Sequence, residues 1–478
     1  AYLVPKVGSY VQRLESTIES QHPGKLYVMQ SSGGIISGKL ASKEPVRTVL
    51  SGPAGGVIGA HRVAQRAGLE QIISFDMGGT STDVSLIDSR GPQITTESRI
   101  SEIPISVPML DIHTVGAGGG SLAWFDRGEL LHVGPQSAGA EPGPICYGRG
   151  EQPTVTDANL VLGRLNPELA LAGSVRLDED RTRRFMEKTR KHTASAEKFA
   201  AGIVRLAEAE MEKAIRLVSV ERGYDPREFT LIAFGGAGPL HACSLSRALG
   251  IPQVLVPAMP GALSALGIIG ADVVRDHSRT VMVLVSANAA DHRDFKRLSK
   301  DAKKSTSSDS NVLLDSLEAH FLELEAKGAR EFHNEGLNGC AIRSADLRYA
   351  GQGYEINVPA SSAMLQTFHE AHRTRYGQAD ESANVEVVNV RVRIAASDPI
   401  ETPRLAATEK DCSQAVIKEK KVMFADEWMP TPVFDRSLLT PRNCFAGPAI
   451  VHEYSATTVV PPGCRVQVDE CSNLVIQV

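Results

Sequence analysis

Apolar residues recur at three- and four-residue steps over 196–222, with Ala200, Ile203, Ala207, Met211, Ala214 and Val218 on one face. That spacing predicts an amphipathic helix, and Gly223 followed by Asp225-Pro226 ends it. The same period predicts a helix over 8–21, carried by Tyr10, Val11, Leu14 and Ile18, and another from Ser51 to about Ala67, stopped by Gly68. Short apolar runs predict strands at Lys25–Gln30, Val46–Leu50, Ile72–Phe75, Val84–Asp88, Phe229–Phe234 and Gln253–Val256. A helix over Leu240–Leu249 separates the last two. Strands alternating with helices predict an α/β fold.

The pattern changes near residue 285. The Lys- and Ser-rich stretch 301–311 reads as a linker, 312–334 as a helix, and Asp346–Val358 and Val385–Ile394 as strands around a helix near Ser362–Tyr376. The last eighty residues hold short β-like runs such as Ala449–His452 and Thr457–Val460. The expected organisation is an α/β domain over 1–285, an α+β region over 286–400 and a small β-rich region over 401–478. Within the first, residues 104–150 are rich in Gly and Pro and lack periodicity. A long irregular stretch of this kind inside a domain is expected to form a site.

Composition narrows the class. The formal charge of −5 and 22% charged residues argue against broad attraction to nucleic acid or to anionic lipid, so neither partner is expected. Seven cysteines with no C-x-x-C pair fit a reduced cytoplasmic protein better than a disulfide scaffold. No apolar run is long enough to predict a membrane span.

The strongest chemical signal is Asp76-Met77-Gly78-Gly79-Thr80-Ser81-Thr82-Asp83. A strand delivers Asp76 at its end. Gly78 and Gly79 let the backbone fold tightly, so that N–H groups face phosphate oxygens. Thr80, Ser81 and Thr82 add hydroxyls, and Asp76 and Asp83 suit a magnesium ion. The same residues also make an ordinary Gly-Gly hairpin turn. A second glycine turn, Gly235-Gly236-Ala237-Gly238-Pro239-Leu240-His241, again joins a strand to a helix, whose N-terminus favours negative charge. Asp111 and His113 stand two apart, on one side of an extended chain, which suits a metal or general-base pair together with Asp76. The alternative is a hydrogen-bonded loop aspartate and a surface histidine.

These segments resemble the hydantoinase A/5-oxoprolinase family. The match runs through Ser51–Ala60, Asp76–Leu86, Val115–Ser121, Ser137–Gly150, Thr154–Leu165, Phe234–Ala242 and Ala262–Gly267, then Arg348–Val358, Tyr376-Gly377 and Gly447–Val451. It implies an actin-like (ribonuclease H-like) ATPase domain with a C-terminal α+β region. Asp76 and Asp83 with Gly78, Gly79, Thr80, Ser81 and Thr82 would form the second phosphate loop. Gly235, Gly236, Gly238, Pro239 and His241 would flank the adenosine. The implied reaction uses ATP and Mg²⁺, or another divalent ion, to phosphorylate the oxygen of a cyclic amide, which is then hydrolysed. A B-type subunit or fused half, in an oligomeric assembly, is the implied partner. Relatives that carboxylate ketones make that an alternative. The family's first Asp-x-Gly-Gly-Thr loop has no copy in this sequence. The first lobe is therefore expected outside this chain, turnover by the chain alone is not expected, and a non-catalytic remnant is a further alternative.

Overall fold

The computed structural model describes residues 3–21, 24–95, 98–100, 103–105, 107–169, 175–285, 309–396 and 411–478. Two compact units interleave along the chain. The larger comprises Met29–Gly33, Val46–Gly270 and Ile400–Val478, and the smaller Ala1–Val28, Gly34–Pro45 and Ala271–Pro399. The division expected from composition runs instead in three consecutive pieces.

In the larger unit, helix α1 (Ser51–Ala67) precedes the hairpin β1 (Ile72–Met77) and β2 (Thr82–Asp88), and then the short strand β3 (His113–Val115). Helices α2 (Val155–Val161) and α3 (Ala196–Val218) lead to β4 (Thr230–Phe234), α4 (Gly238–Leu249), β5 (Gln253–Val256) and α5 (Leu263–Ile269). The C-terminal segment adds β6 (Cys444–Ala446), β7 (Ala449–His452), β8 (Thr457–Val460), β9 (Arg465–Val468) and β10 (Leu474–Gln477). One sheet runs in the order β3-β2-β1-β4-β5-β10-β9-β6. β1, β2 and β3 are antiparallel neighbours. β4 lies parallel to both β1 and β5. Three antiparallel strands followed by two parallel ones, in the order 3-2-1-4-5, is the ribonuclease H-like arrangement of actin-like ATPases.

Sequence explains why this sheet is central. Every residue of β4 is buried, and every residue of β1 except Asp76. Strands of this kind need cover on both faces. Ile73, Phe75 and Met77 alternate into one core with Phe199, Ile203 and Met211 of α3. All six residues that mark the helical face of 196–222 are buried. Elsewhere α1 and α5 cross backbone to backbone. A Cβ on Gly267 would stand 1.9 Å from the Gly55 carbonyl oxygen and 2.6 Å from the Gly59 nitrogen. Only glycine fits there.

The smaller unit packs strands Val273–Val285, Cys340–Tyr349, Ile356–Pro359 and Val385–Ala396 against helices Asp309–Asn334 and Met364–Tyr376. Leu317, Phe321, Phe332, Phe368, Val387 and Val390 fill its core. The expected strand Asp346–Val358 is two strands, because Ala350–Gly353 turns the chain and Gly351 takes φ +88°. The expected strand Val46–Leu50 is a 3-10 turn over Pro45–Thr48. Its Arg47 carbonyl accepts from the Ser31 N–H and hydroxyl rather than from a ladder partner. Of the expected linker 301–311, residues 301–308 lie outside the described residues, and Asp309 already begins a helix. The stretch 104–150 holds more strand than expected, including a hairpin of Ser121–Phe125 with Leu131–Ser137. Among the described residues no helix is long and apolar enough to cross a membrane.

Candidate active site

The β1–β2 hairpin places Asp76 directly opposite Asp83, and Met77 opposite Thr82. The turn closes with a hydrogen bond from the Gly78 N–H to the Ser81 carbonyl, 3.1 Å. Gly78, Gly79 and Thr80 are exposed. Neither glycine has a positive φ. A Cβ on Gly79 would meet nothing within 4 Å, and one on Gly78 only the Ser81 carbonyl at 4.0 Å. The fold itself therefore tolerates side chains there, and the bare backbone is open to close approach by another group.

A strap over Gly118–Gly120 fixes which way this backbone points. The Gly119 N–H donates to the Gly78 carbonyl at 3.0 Å and the Gly120 N–H to the Gly79 carbonyl at 2.6 Å. In a planar trans peptide the C=O and N–H point in opposite directions. With both carbonyls turned to the strap, the N–H groups of Gly79 and Thr80 face the other way, side by side. Successive N–H groups on one side make an anion site. The strap is held in turn. The Thr82 hydroxyl donates to the Ala117 carbonyl at 2.5 Å. The Thr156 N–H and hydroxyl both donate to the Gly119 carbonyl at 2.8 Å. The Gly118 N–H donates to the Ser121 hydroxyl at 2.8 Å. With the N–H groups of Gly118, Gly119 and Gly120 so engaged, the strap aims the Gly78–Thr80 turn rather than cradling a phosphoryl group itself.

Asp76 lies in a niche cut by two glycines. A Cβ on Gly235 would stand 2.4 Å from its Oδ1, and one on Gly56 3.2 Å from its Oδ2. The Ser264 hydroxyl donates to Oδ2 at 3.2 Å. Burial and the facing Asp83 push the Asp76 carboxyl up to about 6, against the Ser264 bond, which lowers it. Burial also raises Asp83, while the Thr114 hydroxyl, donating to its Oδ1 at 2.5 Å, opposes that rise. Two crowded carboxylates at one strand end, beside an anion-directed turn, are a donor set for a small hard cation. Magnesium takes one or two carboxylates and completes its shell with water and phosphate oxygens.

The second glycine turn abuts the first. The Ala237 N–H donates to the Met77 carbonyl, and the Gly235 N–H to the Pro260 carbonyl, both at 3.0 Å. Gly235 has φ +77°, a left-handed conformation natural to glycine. Gly238 and Pro239 open α4, with Pro in its first turn. His241 sits elsewhere: it is fully buried, with Nδ1 2.9 Å from Glu208 and Nε2 3.4 Å from the Asn159 amide.

Asp111 and His113 do not join the carboxylate pair. Asp111 forms an ion pair with Arg222, from the turn after α3. His113 lies opposite Val84, whereas its neighbour Thr114 lies opposite Asp83. Alternation along β3 puts the histidine and the threonine on opposite faces, so Thr114 meets the acid pair. Among the described residues no group of three His, Cys, Asp or Glu is arranged to hold a metal. Thr114 and Ser264 are the contacts that sequence reading missed, although Ser264 falls inside the matched segment Ala262–Gly267.

Comparison with known proteins identifies the family. The profile of the hydantoinase/oxoprolinase family matches residues 1–277, and that of its C-terminal domain matches 304–476. The chain is 33% identical to the caprolactamase subunit alpha of Pseudomonas jessenii, over 98% of this chain and 67% of that one. The crystal structure of the ATP-dependent caprolactamase from that organism superposes with a TM-score of 0.83 at 32% identity, covering 100% of this chain and 69% of that one. The 5-oxoprolinase 1 of Arabidopsis thaliana is 33% identical over 100% of this chain and 38% of its own length. The acetone carboxylase beta subunit of Xanthobacter autotrophicus is 28% identical over 92% of this chain and 62% of its own.

Proposed function

The chain belongs to the hydantoinase/oxoprolinase family, and from that premise we propose that it is the A-type part of an enzyme that uses ATP to hydrolyse a cyclic amide. The observation that carries the proposal is the strap-oriented turn: the N–H groups of Gly79 and Thr80 point together at the end of β1, beside Asp76 and Asp83. The relatives named for caprolactam and 5-oxoproline support the cyclic-amide class.

In this reading the nucleotide phosphates lie on the Gly79 and Thr80 N–H groups. Asp76 and Asp83 would hold the magnesium ion, which would supply positive charge against the phosphates. Ser264 and Thr114 hold the two carboxylates in place. Gly235 and Gly236 let the nucleoside lie against bare backbone. Transfer of the terminal phosphoryl group to the amide oxygen makes the ring carbon electrophilic enough for attack by water. A B-type partner completes the hydrolysis.

Phosphate release from Mg-ATP, measured on the chain with its neighbouring subunits against 5-oxoproline, hydantoin and caprolactam, tests the proposal. Stimulation by at least one ring, abolished by Asp76→Asn, is the expected result. Ring-independent release that survives Asp76→Asn refutes it. The likeness to an acetone carboxylase subunit supports a second reading. Phosphate release that depends on bicarbonate and a ketone, and not on any lactam, would establish that one.

A further inference from the structure

We infer that the β7–β8 hairpin tip forms a wall of the nucleoside subsite, and that Tyr454 at its apex stacks on the base and sets the preference for a purine nucleotide. The inference rests on the proposed ATP site and extends it to a segment about two hundred residues further along the chain.

Three observations place the tip there. First, Ser455 is packed against both glycine turns that follow the parallel strands. A Cβ on Gly236 would stand 3.4 Å from the Ser455 carbonyl oxygen, and one on Gly261 2.3 Å from its Oγ. Gly236 follows β4, and Gly261 lies in the turn after β5. The tip thus sits at the carboxyl ends of the parallel strands, the crevice where open α/β sheets bind ligands. Second, the adjacent Gly235 touches the acid niche while Gly236 touches the tip. Backbone dimensions then put the Asp76 carboxylate and the Ser455 carbonyl within roughly 13 Å of each other. A nucleotide bound by its phosphates at Gly79 and Thr80 would bring its base into this neighbourhood. Third, Tyr454 is 71% exposed, and Met259, beside Pro260, is 51% exposed. Two large apolar side chains are thus left uncovered at one edge of the crevice.

The tip is also anchored. It closes through the Glu453 N–H and the Ala456 carbonyl, 3.2 Å apart. Glu453 lies in the field of Arg436, whose Nη2 donates to the carbonyls of Val256, Pro257 and Ser472 at 3.4, 3.3 and 2.7 Å. An anchored tip holds the Tyr454 backbone at the edge of the crevice.

Isothermal titration of the chain assembled with its neighbouring subunits, with Mg-ATP, Mg-UTP and Mg-tripolyphosphate, tests the inference. Wild type is expected to bind ATP more tightly than UTP, and both more tightly than tripolyphosphate. Tyr454→Ala should weaken ATP about tenfold and leave tripolyphosphate unchanged, while Tyr454→Phe behaves as wild type. Unchanged ATP affinity in Tyr454→Ala, or an equal loss for tripolyphosphate, overturns it. Wild type binding tripolyphosphate as tightly as ATP also overturns it, while leaving the phosphate turn intact as an idea. A wild-type assembly that binds none of the three removes the ATP reading itself.

Discussion

Asp76 and Asp83 are register partners across the β1–β2 hairpin, and each is held by one hydroxyl, from Ser264 and Thr114 respectively. Two like charges have been set face to face in a half-buried site, an arrangement that costs stability until a cation joins them.

That cost has a pH signature. The folded Asp76 carboxyl titrates near 6, above its ordinary 3.8. The folded chain therefore holds this proton more tightly than the unfolded chain. The stability it contributes is fully present below about pH 4 and is lost as pH rises through about 6. Denaturant unfolding in EDTA should find Asp76→Asn more stable than wild type at pH 7.5, by roughly 2 kcal/mol, with the gap closing below pH 4. Magnesium should stabilise wild type and not the variant. A wild type more stable than Asp76→Asn at pH 7.5 without metal would contradict this account.

The two glycine turns should respond differently to the same substitution. Gly79→Ala meets open space, so the melting temperature should stay within about 2 °C of wild type while Mg-ATP affinity falls at least tenfold. Gly235→Ala combines a positive φ with contact at 2.4 Å to both the Asp76 carboxylate and the Met77 carbonyl. It should cost on the order of 2 kcal/mol or more, visible as a lower melting temperature. Equal melting temperatures for the two variants would break the distinction.

Thr114 is expected to act through Asp83. Thr114→Val removes the hydroxyl and keeps the shape, and it should raise the magnesium concentration that half-saturates ATP binding several-fold. Thr114→Ser should restore it. Titrating magnesium at fixed ATP reads the difference, and a valine variant equal to wild type would leave Thr114 with a structural part only.

His241 is expected to matter for stability. With its ring between Glu208 and Asn159, His241→Ala removes a buried ring and leaves Glu208 only the looser Arg164 contact at 3.9 Å, and should cost about 2 kcal/mol. ATP affinity of the folded protein should change less than threefold. A selective loss of ATP affinity at unchanged stability would return His241 to the nucleotide.

Much of this architecture was legible in the sequence because it is local. A buried strand ending in Asp76, two glycines and three hydroxyl residues states its own geometry, and six apolar residues at helical spacing identify α3. The site's other half depends on register and on distance along the chain. Spacing put Asp111 and His113 on one side of an extended chain, but Asp111 lies before the strand and pairs with Arg222. Nothing local says that their neighbour Thr114, one step out of phase, is the residue that faces Asp83. Nor could spacing show that the strap's N–H groups are consumed by the turn's carbonyls, or that Ser455 rests on Gly236 and Gly261. The strand Asp346–Val358 was overextended because apolar alternation resumes on both sides of the Gly351 turn.

The antiparallel pairing of β5 with β10 joins Val256 to Leu474 in register. During synthesis, β5 emerges over two hundred residues before the strand that covers its edge. For that interval a nascent chain displays an unpaired, largely apolar edge, the kind of surface that captures neighbouring polypeptides. Pairing with β10 is therefore the step that closes this edge of the larger unit. Truncations that remove Leu474–Gln477 should yield aggregates instead of a folded larger unit.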